Sequence, residues 1–594
     1  MKNMTTTPYP LTPNTESSAG ACAPRRLEWW ETQQLERQGC SAADWSRVLV
    51  APGSDLSRIR NVRFEGAVSV GVIRESELRD ALIADSVVGD DATVRCVPGG
   101  VRGATVGPRA VIDNVARVEF EPEAPCGVGL QVSVLDETGS RPVVIYPGLS
   151  AQMACLMARR PVWLAKAPDV IADAFLSTRV MPHEIGEGAV VRDSGPLLNV
   201  SVGRDVRIEG AQRLANGSVV NNAAPGRALA FVGAGVDAEG FIFEDATVDS
   251  GAIVRNCYVG QGATLARGAS AHDSLFFANC TLENGEACAL FGGPYSVSMH
   301  KASLLIGCQT SFMNAGSATN QSNHMYKLGP VHWGILERGV KTSSNSYLML
   351  GAKIGAFSLL MGSHKTHPDS SEFPFSYLFG DERGATVVVP GAMLRSCGLL
   401  RDEKKWPTRD RRLKRRLPLF DRITFDVLNP YTVDSMLRAL DTIGGLLSRP
   451  ADDDLFIRYK GMKFSRAALE RARYLYELAV AKYLSMRLPE GEFPESDGEE
   501  AEDWVDVAGQ LMPRSVLETA LTTMTPGHIE EIFSQAFEAY RDLELLWIAR
   551  RFTPDRRPSA ARIAVGAEDF DRMVEEDRTE YLENLSRETK MLDL

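Results

Sequence analysis

Aliphatic residues recur every six positions along much of the chain, and a small residue follows each one four places later. Val236, Ile242, Val248 and Val254 are six apart. After one shortened step, Val259, Leu265, Ala271 and Phe277 continue the rhythm. The small partners are Gly240, Ala246, Ala252, Ala263 and Ala269. Val88 with Ala92, Val106 with Ala110 and Ile185 with Ala189 repeat the pairing. Glycine directly follows the aliphatic residue at Val88, Val106, Ile185, Val202, Val232, Val259 and Ile354. A six-residue period suits neither a 3.6-residue helix nor an alternating strand. It predicts a β-solenoid, a parallel β-helix of hexapeptide repeats. Each short strand puts one aliphatic side chain inward, the small residue fits a corner, and stacked coils bury a continuous core.

The same reading divides the chain. Residues 1–24 are polar and Pro-rich and predict a disordered tail. Residues 25–60 hold a short amphipathic helix (Leu27 to Gln38) that caps the open end of the solenoid. Repeats occupy 61–400, with a helical excursion near 150–176 that Pro161 and Pro168 break up. Between Phe291 and Tyr377 the rhythm blurs into Gly, Ser, Asn, His and Lys. A basic connector spans 401–430. Residues 431–594 form a C-terminal α-helical region, in which Thr525 and Pro526 open a long helix reaching about Arg551.

Composition narrows the function classes. The chain has 594 residues and a formal net charge of -12. An acidic balance argues against nucleic acid as a partner. No run of eighteen apolar residues suggests a membrane span. Ten cysteines without a Cys-x-x-Cys pair favour reduced thiols and a cytoplasmic location. There is no Gly-x-x-x-x-Gly-Lys-Ser/Thr loop, no Gly-x-Gly-x-x-Gly after a strand and no Gly-x-Ser-x-Gly elbow.

Candidate chemistry gathers where the rhythm blurs. His300, His324, His332, His364 and His367 lie there, with His272 shortly before it. Departures from a solenoid repeat usually mark loops on one face. Asn314, Asn320, Asn323 and His324 are candidates to meet a hydroxyl-rich ligand. Lys301, Lys327, Arg338 and Lys341 are candidates to hold a phosphate. His364 and His367 form a His-x-x-His pair that His332 could complete as a divalent metal site. The run Arg401 to Arg416 reads as a solvated connection or as a clamp for a nucleotide sugar or acidic partner, with Trp406 available to stack on a ring.

Longer blocks carry a resemblance. LERQGCSAADW, NVRFEGAVSVGV, SFMNAGSATNQSNHMYKLGPVHWG and the SHKTHPDSSEFPFSYL block at Ser363 resemble a bacterial family of long hexapeptide-repeat proteins, over about Leu27 to Tyr431. That family is related to the trimeric hexapeptide acyltransferase superfamily. The resemblance implies a left-handed β-helix, and it implies acyl transfer from an acyl-coenzyme A donor to a sugar or nucleotide-sugar acceptor. One histidine would be the general base, with His324 first and His300 second. Asn320 and Asn323 would orient the acceptor, and Lys327 would hold a phosphate. The alternatives are a non-catalytic sugar-binding or assembly scaffold, and a three-histidine metal site like that of γ-type carbonic anhydrases. A homo-oligomer is a further expectation.

Overall fold

A computed structural model describes residues 23–159, 181–227, 229–324, 329–450, 455–523 and 526–592. The expected tail and most of the excursion beyond Arg159 lie outside these residues, as does Lys327. The chain divides into two compact units, the first built mainly from residues up to 255 and the second from 256 onward together with 131–143 and 148–168.

The first unit is a stack of parallel coils. Each coil gives one stretch to each of three faces. On the first face Ile59, Leu78, Val94, Ile112, Val191 and Ile208 stand in register. All six are buried, so the six-residue rhythm sets the inward column. The glycines after the aliphatic residues have a steric reason. A Cβ on Gly89 would sit 2.7 Å from the Pro108 nitrogen of the next coil, and one on Gly186 would sit 2.6 Å from the Arg204 nitrogen. Coils pass too closely at that corner for any side chain. At another corner Asn61, Asp80, Asn114 and Asp193 take positive φ, which Asn and Asp tolerate best among non-glycine residues. Asn61 donates to Asp80 at 2.7 Å and Asn114 to Asp193 at 2.6 Å. The ladder is continuous across the sequence gap after Glu119, because Val111 pairs directly with Val190 and Val118 with Leu197. Helix α1 (Trp29–Arg37) begins with a reciprocal cap between Glu28 and Glu31.

The second unit continues the hexapeptide architecture on its own three faces. Its coils run through the stretch where the rhythm blurs. On the second face the inward column reads Ala271, Ala287, Leu305, Gln321, Leu348 and His364. Gln321 stays inside because its carbonyl oxygen accepts from the Ile306 N–H at 2.9 Å and the Cys308 thiol at 3.0 Å. The blur is therefore a polar interior rather than a departure from the coil.

Helices follow. After α2 (Ala151–Arg159) come α3 (Cys397–Arg409), α4 (Arg411–Arg415), α5 (Pro430–Leu447) and α6 (Arg466–Arg487). Then come α7 (Arg514–Thr523), α8 (Pro526–Glu538), α9 (Tyr540–Arg551) and α10 (Ala560–Leu592). The long helix expected from Thr525 to Arg551 is thus two helices that meet near Ala539. Two hairpins also interrupt the helical region, Ile457–Tyr459 with Met462–Phe464 and Trp504–Val507 with Gln510–Pro513. Among the described residues no helix is long and apolar enough to cross a membrane.

The basic stretch is not a solvated connector. It docks on the corner that follows the third face. There Asn279, Tyr295, Phe312, Phe357 and Phe375 all take positive φ. Tyr295 stacks on Phe312 at 5.6 Å, and Phe357 on Phe375 at 5.3 Å. Trp406 of α3 covers this column, 4.7 Å from Phe312, and Phe425 meets Tyr295 edge-on at 5.7 Å. Trp406 is therefore a packing residue here. Arg412 and Asp410 are 2% and 1% exposed and pair at 2.8 Å. Burial works against both charges, but each holds the other charged, so the Asp410 carboxyl stays below the usual carboxylate range. Arg411 donates to the Gly262 carbonyl at 2.6 Å, and Asn279 donates to Asp410 at 3.0 Å.

Candidate functional site

The corner between the second and third faces of the second unit gathers most of the polar chemistry. Two successive coils are joined there by backbone hydrogen bonds, Leu350 N–H to the Ser322 carbonyl at 2.7 Å and Gly351 N–H to the Trp333 carbonyl at 3.1 Å. His367 Nδ1 lies 2.6 Å from the Leu350 carbonyl oxygen. A carbonyl only accepts, so Nδ1 carries the proton and Nε2 keeps its lone pair. Gly351 makes room for this ring. Its φ is +95°, and a Cβ would lie 2.9 Å from His367 Nδ1. The His332 ring stacks on His367 with centroids 6.4 Å apart. Arg141 lies over the neighbouring Trp333 ring at 4.5 Å.

A second polar group lies on this corner. Leu135 N–H bonds the Ala289 carbonyl at 2.7 Å, which brings Glu137 over the coils. The Glu137 carboxylate accepts from the Cys288 thiol at 3.1 Å and from the Asn323 amide. Burial, with Glu137 second, pushes the Cys288 thiol up. Cys288 is a neutral donor here, not a thiolate nucleophile. In register with it stands His272, whose pKa is raised by the Asp273 carboxylate 3.7 Å away, against partial burial.

The expected site residues do not fall in one place. Asn314 and Asn320 are exposed, but on the first and second faces, so they do not converge. His300 is exposed at the corner between those faces, and His324 is exposed beside Asn323. Asn323 is buried and engaged with Glu137. Arg338 is buried over the Phe312 ring, donates to the Thr424 carbonyl and faces Asp506 at 3.7 Å. Lys341 pairs with Asp402 of α3 at 2.5 Å. Arg338 and Lys341 therefore anchor the docked segment rather than open toward a phosphate.

The three-histidine metal set is not assembled. His364 occupies an inward slot, its Nδ1 2.9 Å from the Thr386 hydroxyl. Burial lowers its pKa to about 4. His367 gives Nδ1 to a carbonyl and only His332 is beside it. Among the described residues no group of three His, Cys, Asp or Glu side chains is arranged to hold a metal ion.

Glu137, Cys288, Arg141 and Trp333 escaped the reading of the sequence. Glu137 and Arg141 come from a segment far away in sequence, and no periodicity says which coil it covers. One more perturbed group stands on the docked corner. Glu337 accepts from the Ala356 N–H at 3.2 Å. Burial pushes its carboxyl up to about 7, while Tyr431 and Lys353 favour the charged form and Asp506 opposes it.

A family model described as a domain of unknown function (DUF4954) matches residues 24–447. No curated protein matches the chain. Among solved structures, a provisionally assigned acetyltransferase from Desulfovibrio desulfuricans G20 is 10% identical, over 54% of this chain and 66% of that one. Its TM-score is 0.14, too low to carry any residue across. The matched span covers most of the coils and the docked corner, and the chain belongs to the DUF4954 family.

Proposed function

We propose that the chain transfers an acyl group from a coenzyme A thioester to a hydroxyl or amine of a sugar or nucleotide-sugar, with His367 as general base. The observation that carries this reading is the bond from His367 Nδ1 to the Leu350 carbonyl, which leaves Nε2 as the proton acceptor. His324 and His300 have no comparable orienting bond to a described residue, so the base role moves from them to His367. In the reaction Nε2 takes the acceptor proton as the acceptor oxygen or nitrogen attacks the thioester carbonyl. The C–S bond breaks, and the leaving thiolate recovers that proton from the imidazolium. An ester or amide and a free thiol result.

The test is thiol release by the full chain from acetyl-coenzyme A, offered with a panel of amino sugars and nucleotide sugars. His367→Asn keeps a donor at the Nδ1 position for Leu350 but removes the base. It is expected to cut turnover by about 10²–10⁴ while the thermal melt stays put. Unchanged turnover removes His367 from the mechanism, and no thiol release from the wild type in any pairing removes acyl transfer.

A second reading, an assembly scaffold, has its own support. Asn323, Arg338 and Lys341 all engage partners within the chain. That reading expects no heat of binding when coenzyme A or nucleotide sugars are titrated in.

A further inference from the structure

We propose that a cleft between the hairpin of Trp504–Val507 with Gln510–Pro513 and helix α9 binds a small neutral carbonyl compound through two indole N–H groups. Trp504 and Trp547 both line this cleft, with Pro513, Leu543 and Leu546 as its apolar walls. Each tryptophan is 3% exposed. Neither Nε1 has a hydrogen-bond partner among the described residues.

An indole nitrogen only donates. Buried donors in folded proteins are nearly always matched by an acceptor, and one left unmatched is costly. Here two such donors belong to one cleft. Around them stand rings: Tyr540 meets Trp504 edge-on at 5.6 Å, and Phe552 meets Trp547 edge-on at 6.3 Å. An aromatic face is a weak acceptor. The pair therefore calls for an acceptor from outside the chain, and the two lone pairs of one carbonyl oxygen suit two donors.

Size and charge set the class. The cleft encloses about 20 Å³, room for one oxygen rather than for a whole ligand. Leu546 is 36% exposed and offers the rest of the molecule an apolar support at the rim. The charges nearby disfavour an anion. Arg550 lines the cleft but already donates from Nε to Asp497 at 3.0 Å. Glu502 adds a carboxylate, held by the Ser515 N–H at 2.8 Å and the Ser515 hydroxyl at 2.9 Å. These three groups sum to one negative charge. A neutral oxygen meets no repulsion there, and it loses far less hydration on entering than a carboxylate does.

The experiment is a two-dimensional NMR titration of the full chain, isotope-labelled at the indole nitrogens of its eight tryptophans. The probe is N,N-dimethylacetamide, with acetate as its charged counterpart. Trp504→Phe and Trp547→Phe identify the two signals by their loss. In the wild type both signals are expected to move downfield together and to saturate with dimethylacetamide, while the others stay in place. Leu546→Arg, a change at an exposed position, is expected to abolish that movement and leave the thermal melt unchanged. No movement of either signal overturns the proposal. An equal response to acetate overturns the neutral class, and movement of one signal alone overturns the shared acceptor. If a phenylalanine variant fails to fold, Leu546→Arg still decides, because a response that survives it arises outside the cleft and overturns the site.

Discussion

The same corner of the coil, the one after the third face, is built in two ways. In the first unit its left-handed positions hold Asp91, Arg109 and Asp205, polar residues on the solvent side. In the second unit they hold Tyr295, Phe312, Phe357 and Phe375, all buried. A bulky residue in the left-handed region costs about 1–2 kcal/mol. Full burial of a phenylalanine contributes about 1.5–3 kcal/mol, and an aromatic pair about 0.5–1.5 kcal/mol more. The aromatic corner is therefore favourable only while Trp406 and Phe425 cover it. The polar corner needs no cover. What docks on a solenoid is decided at the positions where the backbone is least comfortable.

That contrast can be broken at the aromatic column first. Tyr295→Ala with Phe312→Ala is expected to cost at least about 3–5 kcal/mol, the range for one buried phenylalanine. It should also open the 397–425 segment to protease before the coils melt. Protection that persists until global unfolding would separate the aromatic column from docking.

A smaller effect should appear with pH. The folded Glu337 carboxyl titrates near 7 and an ordinary one near 4.5. Below 4.5 both states hold the proton. Between 4.5 and 7 the unfolded chain releases it first, so stability falls as pH rises and then levels off. The loss is at most on the order of 3 kcal/mol. Glu337→Gln should flatten this slope in denaturant melts, and an unaltered slope would assign it to another group. The smallest effect belongs to the polar corner. Arg109→Gly relieves the left-handed strain but loses an exposed pair with Glu187, and is expected within about 0.5 kcal/mol of wild type. A loss as large as that at Phe312 would erase the contrast between the two corners.

The rhythm of Val236 to Phe277 made the coils legible, and the glycines after Val88 and Ile185 supported the repeat, although the close passage of coils at Gly89 and Gly186 appears only in the structure. The site was less legible for specific reasons. Counting six from Leu348, Ile354 and Leu360 places the next inward slot at Thr366, but the coil shortens its step and turns His364 inward instead. That shift took a metal candidate out of solvent. Nothing in the sequence singled out Phe312 and Phe357, because no propensity puts phenylalanine in a left-handed turn. Arg338 and Lys341 read as ligands for an anion because their partners, Asp506 and Asp402, lie far along the chain. The hexapeptide family was recognisable from its blocks, while the orientation of the His367 ring depended on a single carbonyl, that of Leu350.

The direct pairing of Val111 with Val190 has a consequence for how such a protein can change. More than sixty residues separate Glu119 from Glu184 in sequence, yet the rungs on either side pair directly. A passenger sequence can enter or leave at that junction while every rung above and below keeps its neighbour. Length can be added there without breaking a rung, while a replacement for the present stretch would have to supply its own bond to the coils, as Leu135 does to Ala289.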